Sequence, residues 1–249
     1  MAKLKCAWFD FASCEGCQIE LTNYGEPFVE LLQHIEPVEF REAMSEKTTE
    51  PIDIAFIEGS FSREADRRRL EEIRERATYV VAYGACAVTA GVNALKNHMD
   101  DYSEAVYGAD KDRPHLASQK ALPISAAIKV DFTIPGCPVD KAEILRVVTQ
   151  IANGTTKVYV PSYPVCMECK RNGTLCRYDD GDHCLGPIAQ AGCDAPCPAD
   201  GIPCEACRGL VCNANQEAMT KVLMERGKLP ERWATTKSRM FTANLRGDA

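Results

Sequence analysis

The stretch IDIAFIE, residues Ile52–Glu58, decides the fold. It is an apolar run of seven residues rich in isoleucine, too short for an ordinary helix and bounded by Pro51 and Gly59. A run of this length and β-branched content predicts a buried strand. Strands buried on both faces belong to parallel sheets covered by helices. The segment therefore predicts a protein of the α/β class.

Strand-like and helical segments alternate on both sides of this run. Apolar runs predict further strands at Leu4–Phe9, Pro37–Arg41, Thr78–Tyr83 and Asp131–Ile134. Helices are predicted between them, at Gln18 to about Leu32, Ser62–Arg76, Ala87–Leu95 and Pro138–Asn153, and Lys96–Lys120 is a polar, irregular insertion. Such alternation predicts a mostly parallel sheet with helices on both faces. The strand order resembles that of flavodoxin-like proteins.

Two of the helices carry end signals. Ser62 is expected to cap the first of them, because Glu64 and Asp66 follow in its first turn and basic residues occupy its last turn. Pro138 is expected to open the helix that runs to Asn153, since proline is tolerated at the first helical position.

The fourteen cysteines are distributed unevenly. Five precede residue 150, and nine crowd between Cys166 and Cys212. This shift predicts a domain boundary near Asn153–Thr156, with a flavodoxin-like domain over 1–155 and a cysteine-rich, mostly irregular domain over 156–249. In the second domain a helix is predicted from Asn215 to Arg226, and Lys228–Ala249 is predicted to be an extended tail.

Composition excludes several classes of function. A net charge of −7 and an isoelectric point near 5.3 argue against nucleic-acid binding, which needs a basic surface. No apolar run is long enough to span a membrane. Met1–Lys5 leads into a strand-like run and not into a signal peptide, so the sequence predicts a cytoplasmic protein. In that reducing compartment many cysteines indicate metal binding in preference to disulfides.

A first set of four cysteines comes from three separated turns. Cys14 and Cys17 follow the first strand, Cys86 follows the fourth, and Cys137 follows the fifth. All four are expected at the carboxyl edge of the sheet, where open α/β folds gather their ligand sites. Four thiolates at one place match the ligation of a [4Fe-4S] cluster. The alternative is that they are small buried apolar residues.

Two further sets lie in the second domain. The second set consists of Cys166, Cys169, Cys176 and Cys184. The third set consists of Cys193, Cys197, Cys204 and Cys207. Each supplies four thiolates from a compact run, which fits either a [4Fe-4S] cluster or structural zinc. Cys6 and Cys212 remain outside the sets and are expected to be buried thiols.

Three motifs resemble the proximal-cluster motifs of nickel–iron hydrogenase small subunits. They are Phe11-Ala-Ser-Cys14-Glu-Gly-Cys17, Tyr83-Gly-Ala-Cys86-Ala-Val-Thr-Ala-Gly91 and Ile134-Pro-Gly-Cys137-Pro. The 20-kDa-type subunit of respiratory complex I has the same elements. Cys184-Leu-Gly-Pro187, Gly192-Cys193 and Pro203-Cys204-Glu-Ala-Cys207-Arg-Gly209 resemble the medial and distal cluster region of the hydrogenases, which the complex I subunit lacks.

The resemblance implies three [4Fe-4S] clusters. The first set then holds the proximal cluster, the second set the distal cluster, and the third set the medial cluster. Many family members begin the distal motif with histidine, where this chain has Cys166, and His183 is a possible competitor beside Cys184. Some relatives lack the fourth medial thiolate that Cys197 supplies here.

The resemblance also implies partners. A large subunit would hold the Ni–Fe centre, and this chain would relay electrons to further electron-accepting subunits that carry flavin or iron–sulfur clusters. No catalytic residue is predicted on this chain. Two alternatives remain open: a complex I-like or formate-linked redox module, and a zinc-stabilised interaction module.

Overall fold

The computed structural model describes residues 3–155 and 158–243. Five strands in these ranges form one sheet: β1 (Leu4–Asp10), β2 (Ile35–Phe40), β3 (Ile52–Glu58), β4 (Ala77–Tyr83) and β5 (Phe132–Ile134). All neighbours pair in parallel, in the order β2-β1-β3-β4-β5. This is the flavodoxin-like order, so the predicted fold class is confirmed.

Alternate residues of the strands supply two separate cores, one on each face of the sheet. Trp8 and Phe56 pack with helices α1 (Gly16–Thr22), α2 (Glu26–Leu31) and α6 (Lys141–Ala152) on one face. Ala7 and Ile57 pack with α3 (Arg67–Arg76) and α4 (Ala85–Thr89) on the other. Strand β3 is buried along nearly its whole length, which explains why its sequence is apolar on both faces.

Two predicted helices are interrupted. The segment from Gln18 to Leu32 forms α1 and α2, separated by a turn in which Gly25 has a φ of 69°. The segment Ala87–Leu95 divides into α4 and a 3-10 helix over Gly91–His98. Ala90, with a φ of 60°, stands at that break. A left-handed alanine is rare, and neither break leaves a signal in hydrophobic spacing.

Both predicted helix starts are wrong. Ser62 does not cap α3: its hydroxyl is hydrogen-bonded to Ser60 at 2.8 Å, and a 3-10 turn over Glu64–Asp66 precedes the helix. Helix α6 begins at Lys141 and not at Pro138. Its cap is Asp140, whose carboxylate accepts a hydrogen bond from the N–H of Glu143. Side-chain caps depend on local geometry, which charge order alone does not determine.

The insertion Lys96–Lys120 contains short helical segments. Helix α5 (Tyr102–Tyr107) is capped by Asp101, whose carboxylate accepts a hydrogen bond from the N–H of Glu104. The side chain of Asn97 holds the end of the insertion by accepting from the N–H of Ala121 and donating to its carbonyl. The insertion is therefore more ordered than its polar sequence predicts.

The described residues form two compact units. The first contains the residues up to Val158, together with Ala243 from the end of the described chain, and the second spans Tyr159–Thr242. Thr156, in the predicted boundary, lies outside the described residues. The second unit has four helices: α7 (Val165–Arg171), α8 (Pro196–Ala199), α9 (Gln216–Glu225) and α10 (Glu231–Arg239). Its apolar cluster includes two buried cysteines, Cys184 and Cys204.

The prediction for the end of the chain is partly wrong. Helix α9 begins after Asn215, which caps it as expected. The segment predicted as an extended tail contains α10, while residues 244–249 of that tail lie outside the described residues. Ala234 is fully buried on α10 and holds it in the apolar cluster. None of the described helices has both the length and the apolar character needed to cross a bilayer.

The aromatic stack at the centre of the sheet predicts a large effect on stability. The Trp8 ring is stacked between Phe40, at 4.6 Å, and Phe56, at 4.8 Å. Trp8→Ala removes this buried ring, so the free energy of unfolding should fall by about 3–5 kcal/mol in a denaturant titration followed by circular dichroism. Trp233→Ala is the control, because Trp233 is 56% exposed. Equal effects of the two substitutions would contradict the packing described here.

Candidate functional site

The four cysteines of the first set line one cavity at the carboxyl edge of the sheet. The cavity has a volume of about 150 Å³, and its walls also include Glu58 and Pro138. Three loops bring the thiols together, after β1, β4 and β5, as the parallel topology requires. Cys17 is buried, Cys86 is half-buried, and Cys14 and Cys137 are exposed. The cavity therefore has a closed interior side and an open outer side.

Glycines leave the space that the sulfurs of the first set occupy. A Cβ at Gly84 would lie 2.5 Å from the Sγ of Cys17, and a Cβ at Gly91 would lie 2.8 Å from the Sγ of Cys86. Both glycines also have positive φ, 86° and 58°. A Cβ at Gly16 would lie 3.2 Å from the Sγ of Cys14. The backbone thus approaches three of the four sulfurs so closely that a side chain at these positions would crowd them.

Cys17, Cys86 and Cys137 have thiol pKa values that are raised, which favours their protonated form. Burial raises the pKa of Cys17 well above its usual value and that of Cys86 to about 12, and the neighbouring thiols push in the same direction. Burial raises the pKa of Cys137 as well. Metal ligation requires thiolates, so a metal centre that binds here displaces protons and binds more weakly as pH falls.

Glu58 is a functional candidate that the sequence reasoning missed. It ends β3, is only 2% exposed, and lines the cavity. Its carboxylate accepts the backbone N–H groups of Cys17 and Gln18, each at 3.2 Å, and so fixes the start of α1 beside the sulfurs. Burial raises its pKa, while these hydrogen bonds lower it. The available signal was a carboxylate at the end of an otherwise apolar strand.

The second and third sets are neighbours within the second unit. Burial raises the pKa of Cys166 to about 11, and the neighbouring thiols of the second set act on it in the same direction. The backbone N–H of Cys204, in the third set, donates to the Sγ of Cys184, in the second, at 3.4 Å. The N–H of Gly186 donates to the same sulfur at 3.4 Å. One sulfur of the second set thus receives a hydrogen bond from the backbone of the third.

Exposure does not distinguish these two sets. Each has one buried, one exposed and two half-buried cysteines. The buried members are Cys184 and Cys204, and the exposed members are Cys176 and Cys197. The cysteines of the second set are therefore no more exposed, taken together, than those of the third.

Left-handed residues other than glycine recur beside the cysteines. Glu15 follows Cys14, Asp194 and Ala195 follow Cys193, and Ala206 precedes Cys207, with φ values between 53° and 60°. The N–H of Ala195 is hydrogen-bonded to the sulfur of Cys193, and that of Ala206 to the sulfur of Cys204. Turns of this kind direct N–H groups into concavities that bind anions and iron–sulfur clusters. The strain that they store is concentrated at these loops.

His183, the possible competitor beside Cys184, has its ring between two carboxylates. Its Nδ1 lies 2.8 Å from a carboxylate oxygen of Asp182, and its Nε2 lies 3.2 Å from one of Glu205. Both ring nitrogens therefore have carboxylate partners. A Cβ at Gly227 would lie 2.9 Å from the Cβ of His183, so the start of the α9–α10 connection packs directly on this residue.

The two cysteines outside the sets differ. Cys6 is fully buried in the core on the α1 side of the sheet, and burial raises its pKa, as expected for a structural thiol. Cys212 is exposed, so the expectation that it is buried is wrong. It lies in the turn before α9 and does not belong to the apolar cluster of the second unit.

The donor atoms fit iron–sulfur clusters. In the described ranges no three His, Cys, Asp or Glu side chains gather at the spacing of a single metal ion. The first set instead rings a cavity, with four sulfurs, glycine-lined walls and no positively charged wall residue. Four cysteine ligands and N–H···S hydrogen bonds are the protein's usual contributions to such clusters. The ligand assignments themselves remain predictions.

Comparisons with known proteins agree with these features. The family described as NADH ubiquinone oxidoreductase, 20 Kd subunit, matches residues 14–151. The sulfhydrogenase 2 subunit delta of Pyrococcus furiosus is 36% identical over 239 residues, which cover 96% of this chain and 99% of that protein. A subunit of the F420-non-reducing hydrogenase (vhu) of Methanocaldococcus jannaschii is 30% identical over 83% of this chain and 82% of its own length.

A solved structure supports the same relationship. A chain of an NAD+-reducing [NiFe]-hydrogenase in the H2-reduced state is 26% identical, with a TM-score of 0.55, over 61% of this chain and 93% of that one. The family model spans all four cysteines of the first set. The chain belongs to the NADH ubiquinone oxidoreductase 20 Kd subunit family, among its hydrogenase subunits.

Proposed function

We propose that this chain is the electron-transfer subunit of a cytoplasmic nickel–iron hydrogenase. It relays electrons between the Ni–Fe site of a large subunit and a redox partner through three [4Fe-4S] clusters. The observation that carries the proposal is the cavity at the sheet edge, where four thiols from three loops meet against a glycine-lined wall. The alignment of this chain with hydrogenase subunits over nearly its full length supports the same function.

Each set of cysteines has one role in this proposal. The domain over 1–155 holds the proximal cluster by Cys14, Cys17, Cys86 and Cys137. The domain over 156–249 holds the distal cluster by Cys166, Cys169, Cys176 and Cys184, and the medial cluster by Cys193, Cys197, Cys204 and Cys207. The contact between Cys204 and Cys184 supports electron passage between the last two sets. When bound, the clusters supply one-electron transfer at potentials that ligation, hydrogen bonds and exposure determine.

The protein's own residues prepare these sites. Glu58 fixes the start of α1 through the N–H groups of Cys17 and Gln18, so the loop that carries Cys14 and Cys17 is anchored to the end of β3. The backbone N–H groups of Gly186 and Ala195 face sulfurs and stabilise their negative charge. Hydrogen cleavage belongs to the large subunit, and no catalytic residue is assigned here.

The partners follow from the same sites. The open side of the first cavity, at Cys14 and Cys137, is proposed to face the large subunit, since the first relay step requires proximity to the Ni–Fe centre. Further subunits with flavin or iron–sulfur clusters are proposed as acceptors. The relatives differ in this respect, since one reduces NAD+ and another does not reduce F420, so the acceptor is not assigned from them.

Metal content tests the relay directly. Anaerobically purified protein should contain about twelve iron and twelve sulfide per chain, because each of the three cubes contributes four of each. Iron and acid-labile sulfide are measured chemically, and zinc by elemental analysis. Stoichiometric zinc with little iron would identify a zinc-stabilised interaction module instead.

Gly84→Ala tests the first cavity. The added Cβ would lie 2.5 Å from the Sγ of Cys17 at a backbone angle that disfavours alanine, so this cluster should be lost and iron should fall by about one third. Gly25→Ala is the matched control, because Gly25 also has positive φ but nothing lies within 4 Å of its Cβ position. An equal loss of iron in both variants would assign the effect to backbone strain alone.

Cys169→Ser tests the exit. If electrons leave through the second set, the variant should lose most of its hydrogen-dependent reduction of the physiological acceptor. The large subunit should still catalyse the exchange of hydrogen gas with deuterium, since that reaction needs no electron to leave. Cys212→Ser is the control, as Cys212 is exposed and lies outside the three sets. Full acceptor reduction by Cys169→Ser would exclude the second set as the exit.

A further inference from the structure

A buried arginine and a buried glutamate flank the third set. Arg208 follows Cys207 in sequence and is only 3% exposed, and Glu168, on α7, is 4% exposed. Fully buried charged residues are rare, because removing a charge from water is costly. Two such residues beside one set of thiols require a structural or functional reason.

Both residues converge on Gly192, the residue before Cys193. The carboxylate Oε1 of Glu168 accepts the N–H of Gly192 at 2.9 Å. A Cβ at Gly192 would lie 2.6 Å from Nη2 of Arg208 and 3.1 Å from its Cζ, so only glycine leaves room for the guanidinium. Gly192 has a φ of 116°, which also requires glycine. The backbone before Cys193 thus lies between a cation and an anion.

Neither charge is placed for packing alone. The Nε of Arg208 donates to the carbonyl of Ala191 at 3.0 Å, which fixes the guanidinium beside the ligand loop. Within the described residues, Oε2 of Glu168 has no hydrogen-bond partner, although it is buried. A buried unsatisfied carboxylate oxygen costs stability and calls for a purpose. Gly192 precedes Cys193 and Arg208 follows Cys207, so both charges lie at ligand loops of the third set.

We propose that Arg208 and Glu168 set the reduction potential of the cluster held by the third set, with opposite signs. This rests on the proposed function, which gives that set a cluster. Reduction adds one negative charge, so a nearby cation favours the reduced form and raises the potential, whereas an anion lowers it. Burial makes both effects large, because the effective dielectric constant is low and salt does not screen them.

The test is a redox titration of the complete hydrogenase complex, followed by electron paramagnetic resonance. Cys197→Ser first identifies the signal of the third set, since it alters one ligand of that cluster alone. Arg208→Gln should then move the midpoint potential of that signal downward, and Glu168→Gln should move it upward. Arg208→Lys keeps the charge and should restore most of the potential. The signals of the other two clusters should move less in every variant.

Arg171→Gln is the matched control. Arg171 is also next to a ligand loop and pairs with Asp194, which follows Cys193, but its side chain is 63% exposed. Solvent screens such a charge, so this variant should leave the third-set potential unchanged. An effect as large as that of Arg208→Gln would show that burial is not the cause.

The possible outcomes separate this proposal from the function on which it rests. If the wild-type complex lacks three iron–sulfur signals, the proposed function fails. If all three signals are present but neither Arg208→Gln nor Glu168→Gln moves the third-set potential, the proposal about these charges fails and the relay remains. If Arg208→Gln gives no folded complex, the sign of the Glu168→Gln shift decides, since Gln keeps the size of Glu. A downward shift there overturns the proposal.

Discussion

The rest of the first unit depends on one constraint: four sulfurs from three distant loops must meet at a single edge of the sheet. A parallel sheet meets this constraint because every strand ends at the same side. The loops after β1, β4 and β5 then need no long excursions to bring Cys14, Cys86 and Cys137 to one cavity. The sulfurs leave little room for side chains, which explains the glycines at 84 and 91.

The sequence predicts the features that recur along the chain, namely the apolar strands and the cysteines that follow them. Apolar runs indicated the five strands, and cysteines after three of them indicated a common edge. The helix break at the left-handed Ala90 and the displaced start of α3 were not predictable, because the conformation of Ala90 and the Ser60–Ser62 hydrogen bond form only in the folded chain. Helix α10 escaped prediction for a related reason. Its buried Ala234 is too small to produce a clear apolar period.

The charged residues of the site were the hardest to anticipate. Glu58, Glu168 and Arg208 are of types that normally lie at the surface, and only Glu58, at the end of an apolar strand, has a sequence signal of burial. The structure explains their burial, because each one is hydrogen-bonded to the backbone of a loop that carries cysteines. The second unit illustrates this most clearly, since its apolar cluster is small and includes Cys184 and Cys204 themselves.

The raised pKa values of the buried thiols have a consequence for the life of the chain before its clusters arrive. The thiolate, and not the thiol, attacks disulfides and electrophiles. Burial keeps Cys17 and Cys204 protonated at neutral pH and holds the pKa of Cys86 near 12. In a folded chain without its clusters, these innermost sulfurs are therefore thiols, the form that does not attack disulfides or alkylating agents. Only a metal that competes with the proton converts them into ligands.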